Sequence, residues 1–139
     1  MALTGGCLCG AIRYTCEGDP IAGYLCHCSD CQRATGGPFA ACVLVPAEAL
    51  RLVRGTPQRY ECRSDAGNLV SREHCGDCGS PLFSNARVRP DWRVIRVGTL
   101  DDPSAVEPQL HIWVDSAQPW ALPDDGHPRF SKGPGSPSR

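Results

Sequence analysis

Apolar and polar residues alternate along this chain in short runs rather than at the three-to-four-residue period of long amphipathic helices. Runs rich in alternating or β-branched residues recur at 11–16, 21–26, 39–45, 51–53, 58–63, 69–74, 92–97 and 109–114, and each predicts a strand. Turn signals separate them: Glu17-Gly18-Asp19-Pro20, Gly36-Gly37-Pro38, Arg54-Gly55-Thr56-Pro57 and Asp101-Asp102-Pro103 supply the backbone angles and missing donors that end strands. Helix is predicted only at 29–34, where Ser29 can cap, and as one turn at 46–50. The expected fold class is therefore mainly β, built of antiparallel sheets with short helical turns.

At 139 residues, the expectation is one domain over 1–130. From Ser131 the sequence Ser-Lys-Gly-Pro-Gly-Ser-Pro-Ser-Arg offers nothing to bury, so 131–139 is expected to be a disordered tail. With 15 Gly, 13 Pro and only 6% aromatic residues, the core must be thin and in need of cross-links. The three tryptophans, Trp92, Trp113 and Trp120, are expected to fill that core, with one of them free to wall a pocket.

A formal net charge of -1 creates no field that would collect nucleic acid or an anionic membrane, and no block of basic residues stands out. The expected partner is a small molecule, with no nucleic acid and no membrane. The first residues lack the basic and apolar regions of a signal peptide, and no stretch approaches a membrane span, so the expected location is cytoplasmic. In that reducing compartment ten cysteines are not expected to pair as disulfides, which makes metal the better explanation for those that cluster.

Seven of the ten do cluster: Cys7-Leu8-Cys9, Cys26-His27-Cys28-Ser29-Asp30-Cys31 and Cys75-Gly76-Asp77-Cys78. Tetrahedral zinc takes its sulfurs at about 2.3 Å, so ligands must arrive in close groups held by tight turns. The outer pairs, Cys7, Cys9, Cys75 and Cys78, make four ligands and close one site. Cys26, Cys28 and Cys31 make three and leave one position open, which is the usual difference between structural and catalytic zinc. A second partition, with Cys7 and Cys9 joining the central group and His74 supplementing Cys75 and Cys78, satisfies the same count. Cys16, Cys42 and Cys62 stand alone in strand-like segments and read as small buried hydrophobes. His27 alternates away from Cys26 and Cys28 and reads as a supporting side chain, while His74, His111 and His127 lack ligand spacing.

Three thiolates leave a zinc ion a softened Lewis acid, poorly suited to activating water but suited to a fourth sulfur. That chemistry points toward making or breaking carbon–sulfur bonds. The stretches Gly6-Cys7-Leu8-Cys9-Gly10-Ala11-Ile12-Arg13-Tyr14, Cys26 through Gly36, and Cys75-Gly76-Asp77-Cys78-Gly79-Ser80 resemble the glutathione-dependent formaldehyde-activating enzyme family, which also includes centromere protein V. The resemblance runs from about Gly5 to Phe130, with Val97-Gly98-Thr99-Leu100-Asp101 and Trp120 near Leu122 contributing late in the chain.

That resemblance implies a β-tent fold with two zinc ions per chain, one structural on Cys7, Cys9, Cys75 and Cys78 and one catalytic-type, labile ion on Cys26, Cys28 and Cys31. It also implies a carbon–sulfur lyase activity that joins formaldehyde to glutathione as S-hydroxymethylglutathione. The functional expectation is a zinc-dependent lyase acting on an adduct of a small, glutathione-like thiol with an aldehyde, with His27, Asp30 or Arg33 as candidate acid or base. The alternative is a non-enzymatic zinc-binding interaction module.

Overall fold

A computed structural model describes residues 2–138. Ten strands are present: β1 (Ala2–Gly6), β2 (Arg13–Glu17), β3 (Ala22–Cys26), β4 (Ala40–Pro46), β5 (Leu50–Arg54), β6 (Gln58–Arg63), β7 (Leu69–His74), β8 (Pro81–Ala86), β9 (Trp92–Arg96) and β10 (His111–Ile112), with one helix, α1 (Ser29–Thr35). They form a three-stranded sheet in the order β1-β2-β5 and a seven-stranded sheet in the order β10-β3-β4-β9-β8-β7-β6. All pairings are antiparallel except β10 with β3, which run parallel. The fold is mainly β, as the alternation predicts. Among the described residues no helix is long and apolar enough to cross a membrane.

Two strands escape the sequence pattern. β1 carries Thr4-Gly5-Gly6, and β8 begins at Pro81 and ends in Ser84-Asn85-Ala86, so neither shows β-branched alternation. Their partners hold them: β1 pairs along its whole length with β2, and β8 lies between β7 and β9. In the opposite sense, the run at 109–114 yields only the two residues of β10, because Trp113 adopts a left-handed conformation (φ 59°, ψ 38°) and turns the chain away.

Alternation gives the large sheet two different faces. On one, Val43, Ile95 and Phe83 stand side by side across β4, β9 and β8 and meet Leu3, Ile12 and Tyr14 of the small sheet and its loops. Tyr14 and Phe83 pack edge to face with ring centroids 5.0 Å apart. On the other face, Cys26, Ala40, Cys42 and Ile112 form a second apolar cluster with Tyr24, Val94, Trp113 and Phe130 against it. β4 is buried on both faces, which explains its almost unbroken apolar run.

The tryptophans do not fill the core. Trp120 is 76% exposed, Trp92 lies under the Arg89 guanidinium at 3.4 Å, and only Trp113 edges an apolar cluster. The segment expected to be a disordered tail is also placed differently. Ser131 is 5% exposed, the Lys132 carbonyl accepts from the Trp113 amide at 2.9 Å, and the Ser131 carbonyl accepts from the Asp115 amide at 3.2 Å. The tail has no apolar side chain to bury, yet its backbone groups pair with the strand-like segment around 111–115 and so need no core of their own.

Candidate metal centres and the cavity beside them

Two groups of sulfur atoms form, and the chain reaches them differently. Cys7 and Cys9 follow β1, while Cys75 and Cys78 occupy the turn between β7 and β8, so the first group joins the small sheet to the large one. Its sulfurs lie within 4.8 Å of one another, with Cys7 to Cys9 at 3.6 Å and Cys9 to Cys75 at 3.8 Å. A disulfide would bring two sulfurs to about 2.05 Å, whereas four thiolates on one tetrahedral zinc stand about 3.8 Å apart. The four-cysteine set fits a zinc ion. Gly10 and Gly79 follow the cluster with φ of 81° and 80°, a conformation that lets the chain turn sharply behind the ligands.

Donors from the backbone surround these sulfurs. The Ile12 amide donates to Cys7 Sγ at 3.2 Å and the Asp77 amide to Cys75 Sγ at 3.4 Å. The Ser80 hydroxyl, with the Ser80 and Cys9 amides behind it, holds the Cys78 thiol down to about 5. Such donors favour thiolate, the form that binds metal. His74 does not join the cluster, so the partition that would have recruited it is not the one the chain adopts.

Cys26 ends β3, and Cys28 and Cys31 flank the start of α1. The cap of α1 is Cys28 rather than the expected Ser29: its sulfur accepts from the Cys31 amide at 3.3 Å, which draws the two cysteines to one side. All three sulfurs lie within 4.8 Å of one another, and among the described residues no fourth histidine, cysteine or carboxylate completes the group. Hydrogen bonds from Cys26 and Cys28 hold Cys31 low against the effect of its burial, with Arg96 and Arg72 adding to them. The same contacts, with Cys28 first, push Cys26 up. Three sulfurs competing for negative charge are what a cation relieves.

A cavity of about 290 Å³ opens on this group. Its floor is the second face of the large sheet. Register places Tyr24, Cys42 and Arg96 in one row across β3, β4 and β9, and Arg72, Ser84 and Val94 in another across β7, β8 and β9. All six line the cavity. Arg72 Nη1 lies 3.9 Å from Cys31 Sγ, and Arg96 Nη1 donates to Cys42 Sγ at 3.1 Å. Burial pushes the Cys42 thiol up to about 11, so it meets Arg96 as a neutral acceptor. Cys42 is thus a buried small residue, as expected, but one that borders the cavity. Cys16 is buried in the main core, while Cys62 is only half-buried.

Of the three candidate acid–base groups, only Asp30 lines the cavity. Arg33 is exposed on the outer side of α1. His27 is fully buried, and its ring belongs to a different construction: Nε2 lies 3.0 Å from His111 Nδ1, and His111 Nε2 lies 2.8 Å from Asp125 Oδ2. Because Asp125 can only accept, His111 Nε2 carries a proton, and the three side chains form a chain of contacts from His27 through His111 to Asp125. Burial first, and His111 second, hold His27 down to about 4 and keep it neutral. This relay ties β3 and β10 to the loop at Asp125, so His27 supports the site from behind.

Arg72 and Arg96 were not legible as site residues from motif spacing. One signal existed: each stands two residues after a valine, Val70 and Val94, so strict alternation puts it on the valine's inward face.

A crystal structure of a Rhodobacter sphaeroides protein is similar to this chain, with a TM-score of 0.57 and 24% identity, covering 73% of this chain and 93% of that one. At that identity the likeness concerns the fold. No curated protein matches the chain. The sequence profile of the family described as glutathione-dependent formaldehyde-activating enzyme matches residues 2–116, a span that holds both cysteine groups and every strand. The chain therefore belongs to the glutathione-dependent formaldehyde-activating enzyme family.

Proposed function

We propose that this protein is a zinc-dependent enzyme of the carbon–sulfur lyase type, acting on the adduct of a small, glutathione-like thiol with an aldehyde. One observation carries the reading: the cysteine group that opens on the cavity has three clustered sulfurs where the other group has four. In this reading Cys7, Cys9, Cys75 and Cys78 hold one zinc ion completely, and Cys26, Cys28 and Cys31 hold a second with a coordination position to spare. Zinc held by three thiolates would keep an incoming thiol deprotonated yet nucleophilic.

The chain's own residues supply the rest. Tyr24, Val94 and Trp113 give the cavity apolar walls that limit water around the reacting carbon. In the forward direction a sulfur–carbon bond forms, the carbonyl π pair moves to oxygen, and the proton lost by the thiol ends on that oxygen. Asp30, the one of the three candidate acid–base groups that lines the cavity, passes that proton. The reverse sequence releases aldehyde and thiol. A cytoplasmic location, where small thiols are abundant, belongs to the same proposal.

Cys28→Ser tests it cleanly, because serine is a good helix cap and preserves the role of residue 28 in starting α1. The variant should keep its circular dichroism spectrum, carry one zinc per chain by elemental analysis, and lose formation of S-hydroxymethylglutathione from formaldehyde and glutathione as followed by 13C NMR. Cys78→Ser should instead unfold, since structural zinc contributes about 10 kcal/mol or more to folding. Unchanged turnover in Cys28→Ser, or its unfolding, would sink the reading.

A further inference from the structure

Two guanidinium groups inside the cavity have no carboxylate partner among the described residues. The arginine–carboxylate pairs formed by the described residues involve Arg13, Arg59, Arg87, Arg89 and Arg93, none of which lines the cavity. Arg96 is 7% exposed and meets only the neutral Cys42 thiol at its Nη1, and Arg72 reaches Cys31 Sγ at 3.9 Å. Both acids on the cavity wall, Asp30 and Asp65, keep water contact and pair with neither arginine. A buried guanidinium without a counter-charge is costly, so the site as a whole must supply one.

Charge counting locates the shortfall. Three thiolates around a divalent zinc carry a net charge of -1, which balances one of the two arginines and leaves the other. An adduct docks through a sulfur that is already bonded to two carbons and brings no charge there, so one anionic group elsewhere on the adduct completes the balance. Position narrows the ligand further. Because Arg72 stands beside Cys31 Sγ, the anionic group must lie within two or three bonds of the atom that docks at the three sulfurs. Arg96, in the neighbouring row of the same sheet face, offers a second fork to the same region.

We propose that the cavity recognises adducts bearing a carboxylate on the carbon bonded to sulfur, with Arg72 and Arg96 binding that carboxylate. The hemithioacetal of a small 2-oxo acid, S–CH(OH)–COO⁻, has this skeleton, and so does a thiol with its carboxylate one carbon from sulfur. The bond chemistry is unchanged: sulfur attacks the carbonyl carbon and the thiol proton passes to its oxygen. The proposal rests on the reading above that the three-cysteine group takes the sulfur of a thiol adduct.

Calorimetric titration of the zinc-loaded protein with mercaptoacetate, 2-mercaptoethanol and glyoxylate tests it. Mercaptoacetate should bind at least about tenfold more tightly than its neutral counterpart, the scale of one charge-assisted bidentate contact. Arg72→Gln should erase that preference, and Arg72→Lys should retain part of it because the charge survives without the fork. Arg96→Lys should weaken mercaptoacetate alone. Circular dichroism checks that each variant is folded.

Equal affinities for the two thiols would overturn the carboxylate site while leaving the thiol reading intact. A preference that survives Arg72→Gln would overturn it too, since simple chelation of zinc by mercaptoacetate needs no arginine. Glyoxylate binding that depends on Arg72, with neither thiol bound, would support the carboxylate site and sink the thiol reading. Turnover separates the two sources of the carboxylate: glyoxylate with 2-mercaptoethanol outpacing formaldehyde with mercaptoacetate assigns it to the aldehyde, and the reverse assigns it to the thiol.

Discussion

Gly5 lies opposite Tyr14 in the β1–β2 pair, and the Tyr14 hydroxyl crosses over it to meet Thr99 Oγ1 at 2.7 Å. A Cβ at Gly5 would stand 2.4 Å from both the Tyr14 hydroxyl and the Thr99 carbonyl oxygen. Tyr14 is 1% exposed and wedged against Phe83, so it has nowhere to retreat. Gly5→Ala is therefore expected to cost about 3 kcal/mol, the upper part of the range for overpacking, read as a lower urea midpoint with an unchanged slope. Glycine here is a packing residue. In the sequence it looks like part of a loop, which is why the strand containing it was not predicted.

Elements are joined at their edges by charge as well as by the cysteine groups. Arg13 of β2 makes a two-pronged contact with Asp101, at 2.8 and 2.5 Å, and Thr4 of β1 donates to the same carboxylate at 2.7 Å. These contacts, Arg13 first, hold Asp101 down to about 2. A carboxyl whose folded value is depressed contributes stability that is complete above its unfolded value near 4 and vanishes as pH falls toward 2. Both partners are substantially exposed, so the contribution is modest. Asp101→Asn should lower the melting temperature by a few degrees at pH 7, and its difference from the parent protein in urea unfolding should shrink steadily between pH 4 and pH 2. A constant difference across that range would show that the tether acts through shape rather than charge.

At the scale of the whole molecule, the two sheets, the two cysteine groups and the C-terminal segment form one arrangement. The first cysteine group clamps the sheets on one side of the large sheet's core, and the second opens on its other face. Gly133 and Pro134 lie on the cavity wall, and Lys132 holds Trp113 through its backbone. Removing 131–139 should therefore leave the main core and the four-cysteine group intact while freeing the Trp113 amide. Hydrogen exchange at Trp113 should accelerate, and small-thiol binding should weaken, with little change in thermal unfolding. Unaltered exchange at Trp113 would mean that the segment contributes nothing to the cavity.

What the sequence determined by itself was the local content: strand positions with strong alternation, such as 58–63 and 69–74, the short helix after Cys28, and the grouping of seven cysteines by close spacing. These are properties of neighbours along the chain, set by side-chain direction and turn chemistry. Spacing could count ligands but left two partitions open, and only the approach of the β7–β8 turn to the end of β1 selected one. Arg72 and Arg96 are far apart in the chain and share a cavity because register aligns β7, β8 and β9 on one face. The fate of 131–138 was decided in the same way. Its backbone needed partners at Trp113 and Asp115, far upstream of it, and a sequence without apolar residues gives no sign of them. The spacing of the cysteines pointed to metal ligands; the pairing of distant strands built the cavity beside them, because register, unlike spacing, exists only once the sheet has formed.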